Sequence, residues 1–421
     1  MKKVAIIGGQ RVPFVKSFTH YARVSNQDML TACLQSLTDR FGLSGERIGD
    51  VALGAIMNRS TDWNLARECV LGTTLDPHTP AYSVVRACSS SLDAAVQLGH
   101  RIATGQIDTA IAGGSDTNSD LPILFSKQFS WKMIDLRQAR TFGEKLKVLS
   151  GFRFKDLKPQ YPSIVEPRTG LSMGQHTEKM VKEWNISREA QDELAYHSHM
   201  NAEKAYQEGF YDDLVFPFKG VKKDTIIRPG TSMEQLAKLK PAFDFSGQGS
   251  LTAGNSTLYS DGAAAVLLAS EEYAQSRNWP VLAYLADAES AAVDYVHGEG
   301  LLMAPTYAVA RLLKRNGLRL QDFDIYEIHE AFCGQVLCTL KAWEDADYCR
   351  SKLGWDGPLG SIDRSKLNIK GGSVAIGHPF GATGARILAQ TVRILHQRGG
   401  GRALISICTA GGMGLVAIVQ R

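Results

Sequence analysis

Four side chains stand in surroundings that suit chemistry: Cys88, His329, His378 and Cys408. Cys88 closes an apolar approach, Val84-Val85-Arg86-Ala87, and precedes Ser89-Ser90-Ser91-Leu92, small residues that begin an amphipathic helix. At a helix N-terminus the unpaired amides and the dipole favour thiolate, the nucleophilic form of the side chain. Activating such a nucleophile calls for an imidazole. His378 stands at a glycine-flanked turn, Gly371-Gly372-Ser373-Val374-Ala375-Ile376-Gly377-His378-Pro379-Phe380-Gly381-Ala382-Thr383-Gly384-Ala385-Arg386, with Pro379 suited to a first helical turn. Cys408 is delivered by the strand-like Leu404-Ile405-Ser406-Ile407 to an amide-rich turn, Thr409-Ala410-Gly411-Gly412, so it can trade a proton while nearby N–H groups bind an oxyanion. The apolar run before His329 ends abruptly in His329-Glu330-Ala331-Phe332, where His329 could donate to an oxyanion and Phe332 could pack on an acyl or pantetheine chain. Singly, each cysteine or histidine is more often a structural core residue. Together they all fall beside strand ends or helix starts, where α/β proteins collect functional groups.

The elements that must position them follow from periodicity. Short runs rich in Ala, Val and Ile (4–7, 51–53, 109–112, 263–268, 325–328, 403–407 and 415–419) read as buried strands. Helical patterns lie between them, at Leu92, Ala95, Val96, Gly99, Ile102 and Ala103 closed by Gly105, and at Ala385, Leu388, Ala389, Val392 and Leu395 closed by Gly399. The alternation argues for an α/β class. Residues 42–53 also align without gaps on residues 317–328, and Cys88 and His378 each open a helix that leads to a strand ending in a Gly-Gly pair. This is the mark of an internal duplication that presents one reactive side chain from each half. Roughly 121–248 breaks the strand rhythm with polar helical stretches such as 188–208, as an insertion forming a lid or docking surface would.

The chain has 421 residues with 44% hydrophobic composition, enough for more than one core, and its net charge of +4 is too small to suggest nucleic-acid binding. Seven cysteines without a CxxC pair suit reduced thiols better than a disulfide framework or a zinc site. No apolar signal core or bilayer-length stretch is present, so a cytoplasmic location is the expectation.

In order along the chain, Arg11-Val12-Pro13-Phe14, the Cys88 block, Ala112-Gly113-Gly114, Met173-Gly174, Lys240-Pro241-Ala242-Phe243-Asp244, Thr252-Ala253-Gly254-Asn255-Ser256-Thr257, Ser260-Asp261-Gly262, His329-Glu330-Ala331-Phe332, the His378 block and the Cys408 block resemble the thiolase family, and most of all the β subunit of the fatty-acid oxidation trifunctional complex and its bacterial anaerobic counterpart. The resemblance implies a duplicated five-layer α-β-α-β-α architecture. Residues 1–120 and 249–275 would form the N-terminal domain, 121–248 the inserted loop domain and 276–421 the C-terminal domain. It implies Cys88 as nucleophile, His378 as its activator, Cys408 as proton exchanger and His329 as partner of His378 at the thioester oxygen. The backbone amides of Cys88 and Ala410 would form the second oxyanion hole, and Met173, Phe243, Thr257, Ala331 and Phe332 would line the CoA and acyl site. No metal or redox cofactor is implied; CoA is a co-substrate. Many thiolases have Asn in place of His329, Gly in place of Ala410 and Ser in place of Thr257; the first departure points to the trifunctional branch.

The expected reaction is cleavage of 3-ketoacyl-CoA by CoA, with ping-pong kinetics. A biosynthetic acetoacetyl-CoA thiolase, a ketoacyl synthase-like condensing enzyme, or a mainly docking subunit are the alternatives. The expected assembly is a homodimer, or an α2β2 heterotetramer with an enoyl-CoA hydratase/3-hydroxyacyl-CoA dehydrogenase subunit. Residues 125–158 interleave basic side chains with Phe129, Trp131, Phe142, Phe152 and Phe154, a pattern for contact with such a subunit or with a membrane surface.

Overall fold

The short apolar runs become strands because Ala, Val and Ile can be buried on both faces of a sheet. A computed structural model, describing residues 1–421, has ten of them: β1 Val4–Arg11, β2 Val15–Lys16, β3 Asp50–Gly54, β4 Ala81–Val84, β5 Thr109–Asp116, β6 Ser260–Ser270, β7 Ala283–Ala292, β8 Ile325–Ile328, β9 Arg402–Thr409 and β10 Met413–Gln420. Hydrogen bonds order nine of them β4-β3-β5-β6-β1-β7-β10-β9-β8, while β2 pairs with β6 off this path.

Two copies of one pattern lie along the path. In the first, β3 is parallel to β4 and β5, and β6 is antiparallel to β5 and β1. In the second, β8 is parallel to β9, and β10 is antiparallel to β9 and β7. A parallel bridge from Tyr326 to Leu367 stands where the second copy lacks a counterpart of β4. The copies join through antiparallel pairing of β1 with β7 at Val4, Ala5 and Ile6. The repeated segments match in detail: the helix Asn26–Phe41 is closed by Gly42 at φ 64° and the helix Ala304–Asn316 by Gly317 at φ 61°, left-handed caps where glycine avoids a Cβ penalty.

Strand alternation sorts side chains into layers. Ala5 and Ile7 of β1 join an outer core with the helices Asn26–Phe41 and Leu65–Leu71, whereas Val4 and Ile6 face the middle of the molecule. There the helices Ser90–Ala103 and Thr383–Arg398 lie between the two sheet halves in the largest core. The helices Ala304–Asn316 and Cys333–Glu344 cover the far side of β8, β9 and β10. The result is helix, sheet, helix, sheet, helix, the α/β arrangement expected.

The two middle helices touch at their beginnings, where the Ala385 amide donates to Ser91 Oγ at 2.8 Å. The turn at Phe380–Ala382 presses on the end of β5 so closely that a Cβ on Gly114 would lie 2.0 Å from the Gly381 carbonyl oxygen. Only glycine fits there. Residues 117–259, between β5 and β6, contain helices and isolated bridges but no strand. The helices Lys127–Gln138 and Phe142–Ser150 within this span bury no residue. All seven cysteines are buried and unpaired, and no helix is long and apolar enough to cross a membrane.

Candidate active site

From β4 the chain enters a 3-10 turn, Ala87–Ser89, and then the helix Ser90–Ala103. Ala87 sits at φ 43°, a left-handed conformation that costs a non-glycine residue and persists only when its surroundings hold it. Serines do the holding. The Arg86 amide donates to Ser90 Oγ (2.8 Å), Ser90 Oγ donates to the Ala87 carbonyl (2.7 Å), and Ser89 Oγ donates to the Arg86 carbonyl (3.0 Å). The serine run is thus a clamp that fixes Cys88.

The matching turn in the second half brings His378 Nε2 to 3.2 Å from Cys88 Sγ. His378 Nδ1 lies 2.6 Å from Thr383 Oγ1, whose own proton goes to the Pro379 carbonyl at 3.3 Å. Thr383 therefore accepts from Nδ1–H, which leaves Nε2 bare and able to take the thiol proton. Ser260 Oγ accepts from the His378 amide at 3.1 Å and fixes the ring's backbone.

Burial pushes the Cys88 thiol up to about 12, against the pull of the Ala410 amide and its own amide. Burial also draws His378 down to about 3, with the positive charge of Arg386 acting in the same sense. Both shifts favour the neutral forms and run against the thiolate expected from the helix N-terminus. Loss of hydration outweighs the partial charge of the helix end.

His329 follows β8, with its ring centroid 4.2 Å from that of His378. One ligand-capable nitrogen from each ring and Cys88 Sγ all lie within 4.8 Å of one another. Such a thiol–imidazole set could also seat a thiophilic ion, although its hydrogen bonds suit proton transfer. His329 Nδ1 is 2.8 Å from Ser373 Oγ, while Nε2 is buried without a partner. Burial, then His378 and Arg386, hold this ring well below the usual imidazole range. Its neighbour Glu330 proves to be scaffold, accepting from Ser198 Oγ (2.7 Å), Asn368 Nδ2 (2.6 Å) and the Val374 amide (3.2 Å). A polar residue at a strand end can therefore serve the framework.

Cys408, at the end of β9, is buried beside Cys88, and burial followed by Cys88 raises its thiol well above the ordinary value. The turn beyond it is tied down from the strand-free region: Glu166 accepts from the Gly411 amide at 2.8 Å and from the Tyr295 hydroxyl at 3.1 Å. Met173, Phe243, Ala331 and Phe332 share an apolar cluster with Cys408, and the Phe243 and Phe332 rings meet edge to face at 5.7 Å. Thr257 joins them through its amide (3.0 Å) and hydroxyl (3.1 Å), both donated to the Ala331 carbonyl. Every candidate residue thus falls in one of two adjoining groups. A groove of about 910 Å³ runs past Lys3, Tyr284 and Arg402 and includes none of them. Sequence reasoning assigned no part to Thr383, Ser373, Ser260 or Glu166. The first two stand inside the His378 block, but Glu166 carries no motif signal.

A family model for the thiolase N-terminal domain matches residues 4–272, and one for the thiolase C-terminal domain matches residues 279–421. Curated relatives include the 3-ketoacyl-CoA thiolases of Yersinia pestis (strain Pestoides F) and Yersinia pseudotuberculosis serotype O:1b (strain IP 31758). Each is 42% identical over 424 aligned residues, covering 99% of this chain and 97% of the relative. Among solved structures, the Bacillus anthracis acetyl-CoA acetyltransferase superposes with a TM-score of 0.83 at 28% identity, covering 100% of this chain and 99% of that one. The Acat5 thiolase from Ascaris suum in complex with coenzyme A gives 0.82 at 25% identity, with both chains fully covered.

Proposed function

The chain belongs to the thiolase family, and from that premise we propose that it is a 3-ketoacyl-CoA thiolase of fatty-acid β-oxidation, cleaving its substrate with CoA to acetyl-CoA and a shortened acyl-CoA. The observation that carries this reading is the bare His378 Nε2 at 3.2 Å from the Cys88 thiol, with a second thiol, Cys408, beside them.

His378 takes the Cys88 proton as the sulfur attacks the 3-keto carbon. The oxyanion formed there is held by the amides of Cys88 and Ala410, the two that already bear on the sulfur. Collapse breaks the Cα–Cβ bond, leaving an acyl thioester on Cys88 and the acetyl-CoA enolate, whose oxygen faces His329 and His378. Cys408 protonates the enolate carbon, then takes the proton of the incoming CoA thiol. The CoA sulfur attacks the acyl-enzyme, and Cys88 leaves as thiolate and recovers its proton from His378. The cluster of Met173, Phe243, Ala331 and Phe332, with Thr257, supports a role in holding pantetheine and the acyl chain. CoA is the sole co-substrate and no further cofactor is assigned.

The proposed assembly is a homodimer, built on the exposed edge strand β4. Residues 125–158 are proposed to dock an enoyl-CoA hydratase/3-hydroxyacyl-CoA dehydrogenase subunit in an α2β2 complex, or an anionic membrane surface. Seven unpaired cysteines support a cytoplasmic location.

The test is thiolysis of 3-ketoacyl-CoA substrates of graded length, followed by loss of the enolate absorbance. Cys88→Ala should lower turnover by roughly 10⁴-fold or more. Cys408→Ala should lower it about 10²- to 10⁴-fold while an acyl group on Cys88 can still be trapped and weighed by mass spectrometry. No turnover by folded wild type, or activity with carrier-protein thioesters instead, would overturn the assignment.

A further inference from the structure

The hydrogen bonds behind His329 define which of its nitrogens holds the proton. Arg386, in the helix Thr383–Arg398, is buried and points Nη2 at Ser373 Oγ, 2.6 Å away. A guanidinium can only donate, so Ser373 must accept there. The serine's one proton has a single available acceptor among its contacts, His329 Nδ1 at 2.8 Å. Were Nδ1 protonated instead, the buried serine proton would have no acceptor and the unpartnered Nε2 would be a buried lone pair with no donor. A proton on Nε2 satisfies the serine and leaves Nε2–H as a donor with no acceptor in the protein, free for an incoming oxygen.

We propose that Ser373, backed by Arg386, is a positioning residue that fixes His329 as the Nε2–H tautomer and so gives the active site a permanent donor for the thioester oxygen. The two histidines then hold opposite tautomers a short distance apart. Thr383 keeps Nε2 of His378 bare as a base, and Ser373 keeps Nε2 of His329 protonated. One fixed donor stands beside one group that becomes a donor only after it has taken the Cys88 proton. The enolate oxygen therefore meets two donors, although only one proton has been transferred. Burial opposes protonation of either ring, and the charge of Arg386 acts in the same sense. Glu327, likewise buried and accepting from Gln390 Nε2 at 3.0 Å, supports the Arg386 charge through its field, while burial raises its own carboxyl toward the neutral form. What the proton is used for rests on the thiolysis reading; where it sits does not.

The test combines a spectroscopic and a kinetic arm. Nitrogen-15 spectra of histidine-labelled protein, with His329→Asn identifying the signals, should show a bare Nδ1 and a protonated Nε2 on His329. In Ser373→Ala that signature should shift toward the other tautomer. Its kcat for thiolysis should fall about 10- to 100-fold, as when groups orienting a functional histidine are lost, with KM nearly unchanged. In a His329→Asn background, Ser373→Ala should add almost nothing, because the pair acts as one unit. A wild-type His329 with Nδ1 protonated would overturn the proposal. So would an equal penalty from Ser373→Ala in both backgrounds, since a purely structural serine predicts that. Wild-type protein showing the signature but no thiolysis would sink the function reading and leave the proton's placement standing.

Discussion

A neutral thiol beside a neutral imidazole is chemically quiet, and the proton moves only when a substrate carbonyl is there to accept the sulfur's electrons. Neutrality has a cost in acid. His378 is drawn from the ordinary 6.5 to about 3 by burial, with Arg386 adding to it, so the unfolded chain binds a proton over a range where the folded chain does not. The stability linked to this depressed group is complete above about 6.5 and is lost as pH falls toward 3. Urea unfolding midpoints followed by circular dichroism should therefore drop as pH falls below 6.5, and drop less steeply in His378→Asn. Parallel curves for the two proteins would refute the assignment of that loss to His378. At this scale the sequence picked out side chains that the structure brings together, but not their states. Cys88, His378, Cys408 and His329 were legible from type and setting. Desolvation, and the serine and threonine contacts that choose each tautomer, are products of packing that no local pattern carries.

Among the elements, the most exposed dependence is that of the Cys408–Gly412 turn on Glu166, which reaches it from the strand-free region. Glu166→Ala should leave the amide of Gly411 unpaired and loosen the neighbouring Ala410 amide. The expected result is a fall in kcat of about 10-fold or more, within the range seen for losing oxyanion support, with urea stability changed by only about 1 kcal/mol. A variant that keeps wild-type kcat would show that the turn holds itself. The strands that were legible, β1, β3, β5, β6, β8, β9 and β10, are apolar and buried on both faces. Besides the two-residue β2, two others escaped notice. β7 carries Asp287 and Glu289, paired with Arg315, and is mostly half-exposed. β4 is a four-residue edge with Ser83 exposed. Neither displays the apolar run that identifies a buried strand. The duplication, by contrast, was readable because the same helix cap, turn and strand had to be encoded twice.

The whole molecule is two similar halves with a helical region projecting from the first. Phe142 (80% exposed), Phe154 (94%) and Trp131 (60%) stand out in solvent on 125–158, among lysines and arginines. Apolar side chains beside basic ones suit an anionic surface. Neutralising these lysines and arginines should abolish flotation with anionic vesicles or co-purification with the hydratase/dehydrogenase subunit, and leave thiolysis intact. If both associations survive unchanged, the segment has no docking role. The duplication has one more consequence. Cys88 comes from one half and its base from the other, 290 residues later in the chain. The sulfur and the imidazole therefore meet only when both halves have folded and closed on one another, so the contact between them is a property of the joined molecule and of neither half alone.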